Sequence, residues 1–270
     1  MTDSRRIITL LTDFGLRDHF VPVMKGVLLN LNPDLTLIDL SHTVPPQDIH
    51  SGAFTLGQAY SYFPPGTIHL AVVDPGVGTA RKALAVSAGA HFFIAPDNGI
   101  LTYVLKEQQD YEAYEITADH YFRKPVSSTF HGRDVFAPVA AWISRDIPLS
   151  RFGTRLPNPI MLKIPTPKKV QDNLIQGHIL AVDNFGNLIT NLVPEDLPAY
   201  DTAYTGSCKI LAGKQEIANF RRTYGEAKPE EVFVLPGSSG YLEIAVKGRS
   251  AAALLGMRSG APIGVILSEK

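Results

Sequence analysis

Three ionisable side chains from separate stretches of this chain have the types that chemistry requires. Asp74 closes the apolar run Val72-Val73 and is followed by Pro75-Gly76-Val77-Gly78-Thr79-Ala80-Arg81, and His131 opens His131-Gly132-Arg133-Asp134. A carboxylate at a strand end, a turn flexible enough to wrap a ligand, and then a fixed cation is how α/β proteins build sites. Taken singly, each has a plainer use: Asp74 before Pro75 as a turn former, Arg81 as a surface cation, His131 as a helix cap. Asp13 and Asn98 also fall at predicted strand ends. There they suit a ribose diol or an amide-bearing edge, because an ionised carboxylate accepts two hydroxyl hydrogen bonds at once; an N-cap and a turn residue are the plainer alternatives. Asp183-Asn184-Phe185-Gly186-Asn187 reads either as a simple hairpin turn or as a turn carrying an aromatic that can stack on a base.

The elements that must hold these residues follow from periodicity. Ile7-Ile8-Thr9-Leu10-Leu11-Thr12 is a buried-strand run that delivers Asp13 and Phe14 to a loop. Val23, Val27, Leu28 and Leu31 then recur at helical spacing until Asn32-Pro33 stops them. Further strands are expected at Thr36 to Leu40, Thr67 to Val73, Leu84 to Ser87 and Phe92 to Ala95, with a helix over Asp48 to Tyr60. Alternating strands and helices predict a mostly parallel sheet covered on both faces. In such sheets ligands collect at the carboxyl ends of the strands. A helix follows His131, with Pro138 expected near its first turn. After Trp142, prolines 148, 157, 159, 165 and 167 interrupt all periodicity, and a domain linker is expected there, ending near Lys169. Short segments at Ile175 to Val182, Leu188 to Asn191, Val232 to Leu235, Leu242 to Val246 and Val265 to Leu267 predict a smaller antiparallel β-barrel. The expected division is an α/β domain over residues 1–165 and a barrel over 170–270.

Composition narrows the partners. The 270 residues, 45% of them hydrophobic, are enough for two cores, and 25 basic against 26 acidic residues leave a net charge of -1. No concentrated positive field marks the chain for nucleic acid or an anionic membrane. A small-molecule ligand is expected instead. Cys208 is the only cysteine, so no internal disulfide forms and no cysteine cluster holds zinc. With no signal-like h-region and no membrane span, the cytoplasm is the expected compartment. Gly76-Val77-Gly78 begins a dinucleotide fingerprint, but Arg81 stands where the third glycine belongs. No Walker A, H-E-x-x-H or G-x-S-x-G motif is present.

Taken together, stretches along nearly the whole chain resemble the S-adenosyl-L-methionine (SAM) hydroxide adenosyltransferases, the SAM hydrolases related to fluorinase and chlorinase. They are Leu11-Thr12-Asp13-Phe14-Gly15, Ser41-His42-Thr43-Val44-Pro45-Pro46, Val73-Asp74-Pro75-Gly76-Val77-Gly78, Ala95-Pro96-Asp97-Asn98-Gly99, Phe130-His131-Gly132-Arg133-Asp134, Asp183-Asn184-Phe185-Gly186-Asn187 and Ser238-Ser239-Gly240-Tyr241-Leu242. The resemblance implies hydrolysis of SAM to adenosine and L-methionine, without metal or cofactor. It also implies a homotrimer whose sites lie between one subunit's N-terminal domain and a neighbour's C-terminal domain. Position by position, it puts water activation on Asp74, Arg81 and His131 and ribose binding on Asp13, with Phe14 and Asn98 among the substrate contacts. The adenine contacts fall on Phe185 and Asn187, and the methionine-end contacts on Asp183 and Ser238. Ser239 corresponds to an arginine in the halogenases, and Gly132 stands where fluorinase-like members offer a hydroxyl to the halide.

That reaction fits the residue types. A sulfonium departs as a neutral thioether and needs no proton, so all acid–base demand falls on the water, whose pKa in bulk is roughly 15.7. Arg and His around the attacking oxygen favour its anionic form, and Asp74 either takes its proton or holds the other two in register. Three other readings stay open at this stage. They are a chlorinase-like halogenase, a SAM or adenosine sensor without turnover, and a metal-dependent phosphohydrolase using Asp13, Asp74, His131 and Asp134.

Overall fold

The structure is a computed structural model that describes residues 6–197 and 208–267. The chain divides into two compact units, Met1–Leu162 and Lys163–Lys270.

In the first unit six strands form one sheet. They are β1 (Ile7–Thr12), β2 (Thr36–Ser41), β3 (Ile68–Val72), β4 (Ala83–Ala88), β5 (His91–Pro96) and β6 (Tyr111–Glu115), in the order β2-β1-β3-β5-β4-β6. The neighbours β2, β1, β3 and β5 pair in parallel. β4 runs antiparallel to both β5 and β6, so the sheet expected to be mostly parallel is mixed. The reason is chain length: only Gly89 and Ala90 separate β4 from β5, whereas a parallel pair needs a crossover of about a dozen residues. Gly89, at φ 57°, makes the tight reversal.

Strand alternation splits the apolar residues between two faces. Ile8, Leu10, Leu70 and Val72 pack under α1 (Phe20–Leu31) and α4 (Ala137–Ile143). Leu11, Ala71, Val73 and Phe93 pack under α2 (Ile49–Ala59) and α3 (Thr102–Glu107). Asp48 caps α2 by accepting from Ser51 N at 3.0 Å, which fixes where that helix starts beside the β1 exit loop. One polar thread crosses this core: Thr9 Oγ1 lies 2.8 Å from His69 Nδ1, and His69 Nε2 lies 3.4 Å from His91 Nδ1. Burial, with His91 alongside, pushes His69 down to about 3. Part of the proline-rich stretch after α4 lies along β6, with Glu115 N donating to Thr154 O and Leu156 N to Ala113 O. The sheet edge is thereby covered.

The second unit holds β7 (Lys168–Gln171), β8 (Leu174–Val182), β9 (Leu188–Thr190), β10 (Cys208–Ala212), β11 (Gln215–Ile217), β12 (Val232–Pro236), β13 (Leu242–Val246), β14 (Pro262–Leu267) and α5 (Ala251–Leu255). All its strand pairings are antiparallel, in the order β11-β10-β14-β8-β9-β13-β12, with β7 on β8. Beyond β11 the chain reaches β12: Arg221 N donates to Val234 O and Val234 N to Asn219 O, both at 2.8 Å. These bonds join the two ends of the sheet into a nearly closed barrel around Ile179, Leu188, Ile210, Val234 and Ile244. Cys208 lies within this core, and burial raises its thiol to about 11. No helix among the described residues is long and apolar enough to cross a membrane.

Candidate active site

β3 ends at Val72, and the chain turns on Asp74-Pro75-Gly76-Val77 and again on Gly76 to Thr79. Gly78 has φ 76°, and a Cβ there would stand 2.2 Å from Ser128 O. Only glycine lets this loop lie against the 127–130 segment that leads to His131. The turn also folds Arg81 back onto Asp74. Arg81 Nε donates to both Asp74 oxygens at 3.0 Å, and Nη2 donates to Oδ2 at 2.6 Å. The same Nη2 reaches His131 Nδ1 at 2.8 Å. The guanidinium lies over the Phe136 ring at 5.2 Å, which fixes its plane. All three residues of the trio are therefore in one hydrogen-bonded group.

The direction of these bonds sets protonation. A guanidinium only donates, so His131 Nδ1 must accept and the imidazole is the neutral Nε2–H form. Burial lowers the His131 pKa and the Arg81 charge lowers it further, against the pull of Asp74 and Asp134. His131 Nε2 has no hydrogen-bond partner among the described residues, so its N–H is free for a ligand. Behind it the chain makes a π-helical turn, Gly132–Phe136, before α4. Asp134 within that turn is fully buried and takes bonds from Arg133 Nε and Nη2, both at 2.7 Å, Arg123 Nη1 at 3.2 Å and Ser127 N at 2.9 Å. Burial raises its pKa, but these donors outweigh burial and hold the carboxyl below its ordinary value. Asp134 thus ties the His131 turn to the 123–127 segment.

Asp13 Oδ2 accepts from Gln47 N at 2.8 Å, and its loop is clamped by Thr12 Oγ1 against His42 Nδ1 at 2.8 Å and by Gly15 N on His42 O. Phe14 packs against Phe20 and Phe130, one residue before His131. Asn98 uses its amide on the main chain, donating to Val73 O at 2.8 Å and accepting from Ile100 N at 3.2 Å. It braces the strand exit that carries Asp74.

In the second unit, Asp183, Phe185, Asn187 and Ser238 line a cleft of about 750 Å³ with Tyr224, Gly237, Glu243 and Arg249. Asp183 Oδ1 accepts from Phe185 N at 2.9 Å and from Asn187 N at 2.8 Å, which makes the turn rigid. Phe185 is 77% exposed. Ser239 is not among the lining residues; its Oγ is buried and has no hydrogen-bond partner among the described residues.

Two family descriptions match this chain: SAM hydroxide adenosyltransferase N-terminal domain over residues 8–153, and SAM hydroxide adenosyltransferase C-terminal domain over residues 177–264. The chain belongs to the SAM hydroxide adenosyltransferase family. A Salinispora tropica protein named (R)-S-adenosyl-L-methionine hydrolase is 38% identical over 94% of this chain and 95% of its own length. A fluorinase of Nocardia brasiliensis is 29% identical over 77% of this chain and 79% of its own. The crystal structure of an uncharacterized conserved protein from Thermotoga maritima aligns with a TM-score of 0.88 at 38% identity, covering 96% of this chain and 99% of that one.

For this family member, Tyr224 and Glu243 are cleft residues that the sequence motifs do not mark as a site. Tyr224 O–H donates to Glu243 Oε2 at 2.6 Å, and Asn187 Nδ2 reaches the Tyr224 oxygen at 3.3 Å. One signal was available: Glu243 is an acid inside the otherwise apolar run Leu242 to Val246, and every residue of that strand is buried. Among the described residues no group of three His, Cys, Asp or Glu side chains is placed to hold a metal ion. Asp74 and Asp134, two of the ligands a phosphohydrolase would need, are both tied to arginine.

Proposed function

We propose that this protein hydrolyses SAM to adenosine and L-methionine by in-line attack of water on the ribose 5′ carbon. The observation that carries the reading is the Arg81 Nη2 to His131 Nδ1 bond at 2.8 Å, with Asp74 anchoring the same guanidinium. It leaves a neutral imidazole whose Nε2–H points away from Arg81, a donor suited to an oxygen that becomes anionic as it attacks. Asp74 Oδ1 takes one Arg81 N–H and keeps lone-pair capacity for a proton. In the reaction one water O–H bond and the C5′–S bond break while the O–C5′ bond forms. Sulfur leaves as a neutral thioether and one proton is released overall. Arg81 and His131 supply the field, and Asp74 both aligns Arg81 and accepts the proton on its way to solvent.

Binding is assigned to Asp13 for the ribose, with Phe14 and Asn98 around it, and to Phe185 and Asn187 for the base. Asp183 and Ser238 are assigned to the amino-acid end, with Ser239 beside them. The assembly we propose is a cytoplasmic, metal-independent homotrimer in which each site draws on two subunits, as the family resemblance implies. The deciding experiment is incubation with SAM in chloride-free buffer, with chromatographic identification of products. Adenosine with methionine is the expected result, and unaltered SAM would reject the reading. The same incubation in chloride separates the halogenase alternative, whose product is 5′-chloro-5′-deoxyadenosine.

A further inference from the structure

The carboxamide of Asn187 is held by more than its own turn. One Nδ2 proton goes to Asp183 Oδ2 at 2.8 Å and the other to the Tyr224 oxygen at 3.3 Å. Tyr224 gives its own proton to Glu243 Oε2 at 2.6 Å, so toward Asn187 it can only accept. Both amide protons are therefore used, and Asn187 Oδ1 accepts from nothing among the described residues while its side chain lines the cleft. Glu243 is itself held: it is buried, and Gly237 lies so close that a Cβ there would stand 1.9 Å from Oε1. Burial, with Glu243 and Asp183 nearby, pushes the Tyr224 phenol up, so the hydroxyl keeps the proton it donates.

We infer that Tyr224 and Glu243 are positioning residues that fix the Asn187 amide with its oxygen toward the ligand, making the cleft select a 6-amino purine over a 6-oxo purine. The inference rests on the proposed nucleoside site. The exposed Phe185 ring on the same cleft offers a face to a flat heterocycle, and a lone acceptor beside it suits an exocyclic N–H. A 6-oxo group would set acceptor against acceptor, with no free amide proton to turn toward it. A site built for one hydrogen-bonding pattern rejects its inverse strongly, because a buried polar atom is left unpaired.

The test is calorimetric binding of adenosine and inosine to the full-length protein as purified, with SAM turnover assayed in parallel. The wild type is expected to bind adenosine at least about 10-fold more tightly than inosine. Tyr224→Phe frees one Asn187 proton for the 6-oxo group and is expected to cut that ratio about 5-fold or more. Glu243→Leu fills the space but offers no acceptor to the phenol, whose O–H is then free to turn toward Asn187; the ratio is expected to fall here as well. A purely structural role would weaken both nucleosides alike and leave the ratio unchanged. An unchanged ratio in both folded variants, or equal binding of the two nucleosides by the wild type, overturns the inference and leaves SAM hydrolysis standing. A protein that neither binds adenosine nor turns over SAM overturns both.

Discussion

At the scale of single residues, the trio divides its labour through hydrogen-bond direction. Arg81 donates to both of its neighbours, so Asp74 cannot lose its partner without also releasing the guanidinium from His131. Asp74→Asn and His131→Ala are each expected to lower turnover by at least about 10²-fold while far-ultraviolet spectra and melting stay near wild type. Steady-state kinetics on both variants check this, and near-normal rates would remove the trio from the mechanism. Arg81 also lowers the His131 pKa. A proton titration by NMR should therefore find His131 below its ordinary 6.5 and find it raised in Arg81→Gln, because one of the two lowering causes is gone. Asp74, Arg81 and His131 were legible from sequence because a strand end, a glycine turn and a helix start each leave local marks. Tyr224 was not, and Glu243 showed only as an acid in an apolar strand: Tyr224 joins Asn187 to Glu243 across separate connections, and no local spacing encodes that meeting.

Elements translate those residues into position. The β4–β5 hairpin shows what periodicity alone misses. Both runs were visible as strands, but their direction depends on the two intervening residues, which are too few for any crossover. β10 and β11 went unread for a different reason: the pair is short, and exposed residues break its apolar pattern. The parallel strands also carry the buried Thr9–His69–His91 thread, which makes the sheet sensitive to acid. His69 is held near 3 in the fold against about 6.5 in an unfolded chain, so between these values only the unfolded chain takes up the proton. Stability attributable to this group is complete above about pH 6.5 and falls on acidification, by at most about 1.4 kcal/mol per pH unit. Denaturant midpoints measured from pH 7 to pH 4 should decline accordingly, with a shallower decline in His69→Gln. An equal slope in both would assign the acid sensitivity elsewhere.

For the whole molecule, the proposed substrate contacts divide between the two units: the trio with Asp13 in one, the Phe185 and Asn187 cleft in the other. The proposed trimer is expected to show three times the 29.4 kDa chain mass in sedimentation equilibrium, with specific activity falling on dilution below the assembly constant. Full activity at trimer-free concentrations would refute shared sites. Activity is also expected to survive exhaustive treatment with chelator. One other property of the molecule follows from Cys208, the only cysteine of the sequence, enclosed in the barrel with its thiol raised to about 11. A folded chain will not react with alkylating or disulfide-exchange reagents, whose target is the thiolate. The natural sequence thus contains its own chemical clock for barrel opening, and a cysteine placed anywhere on the surface would take a fluorophore or spin label at that position alone.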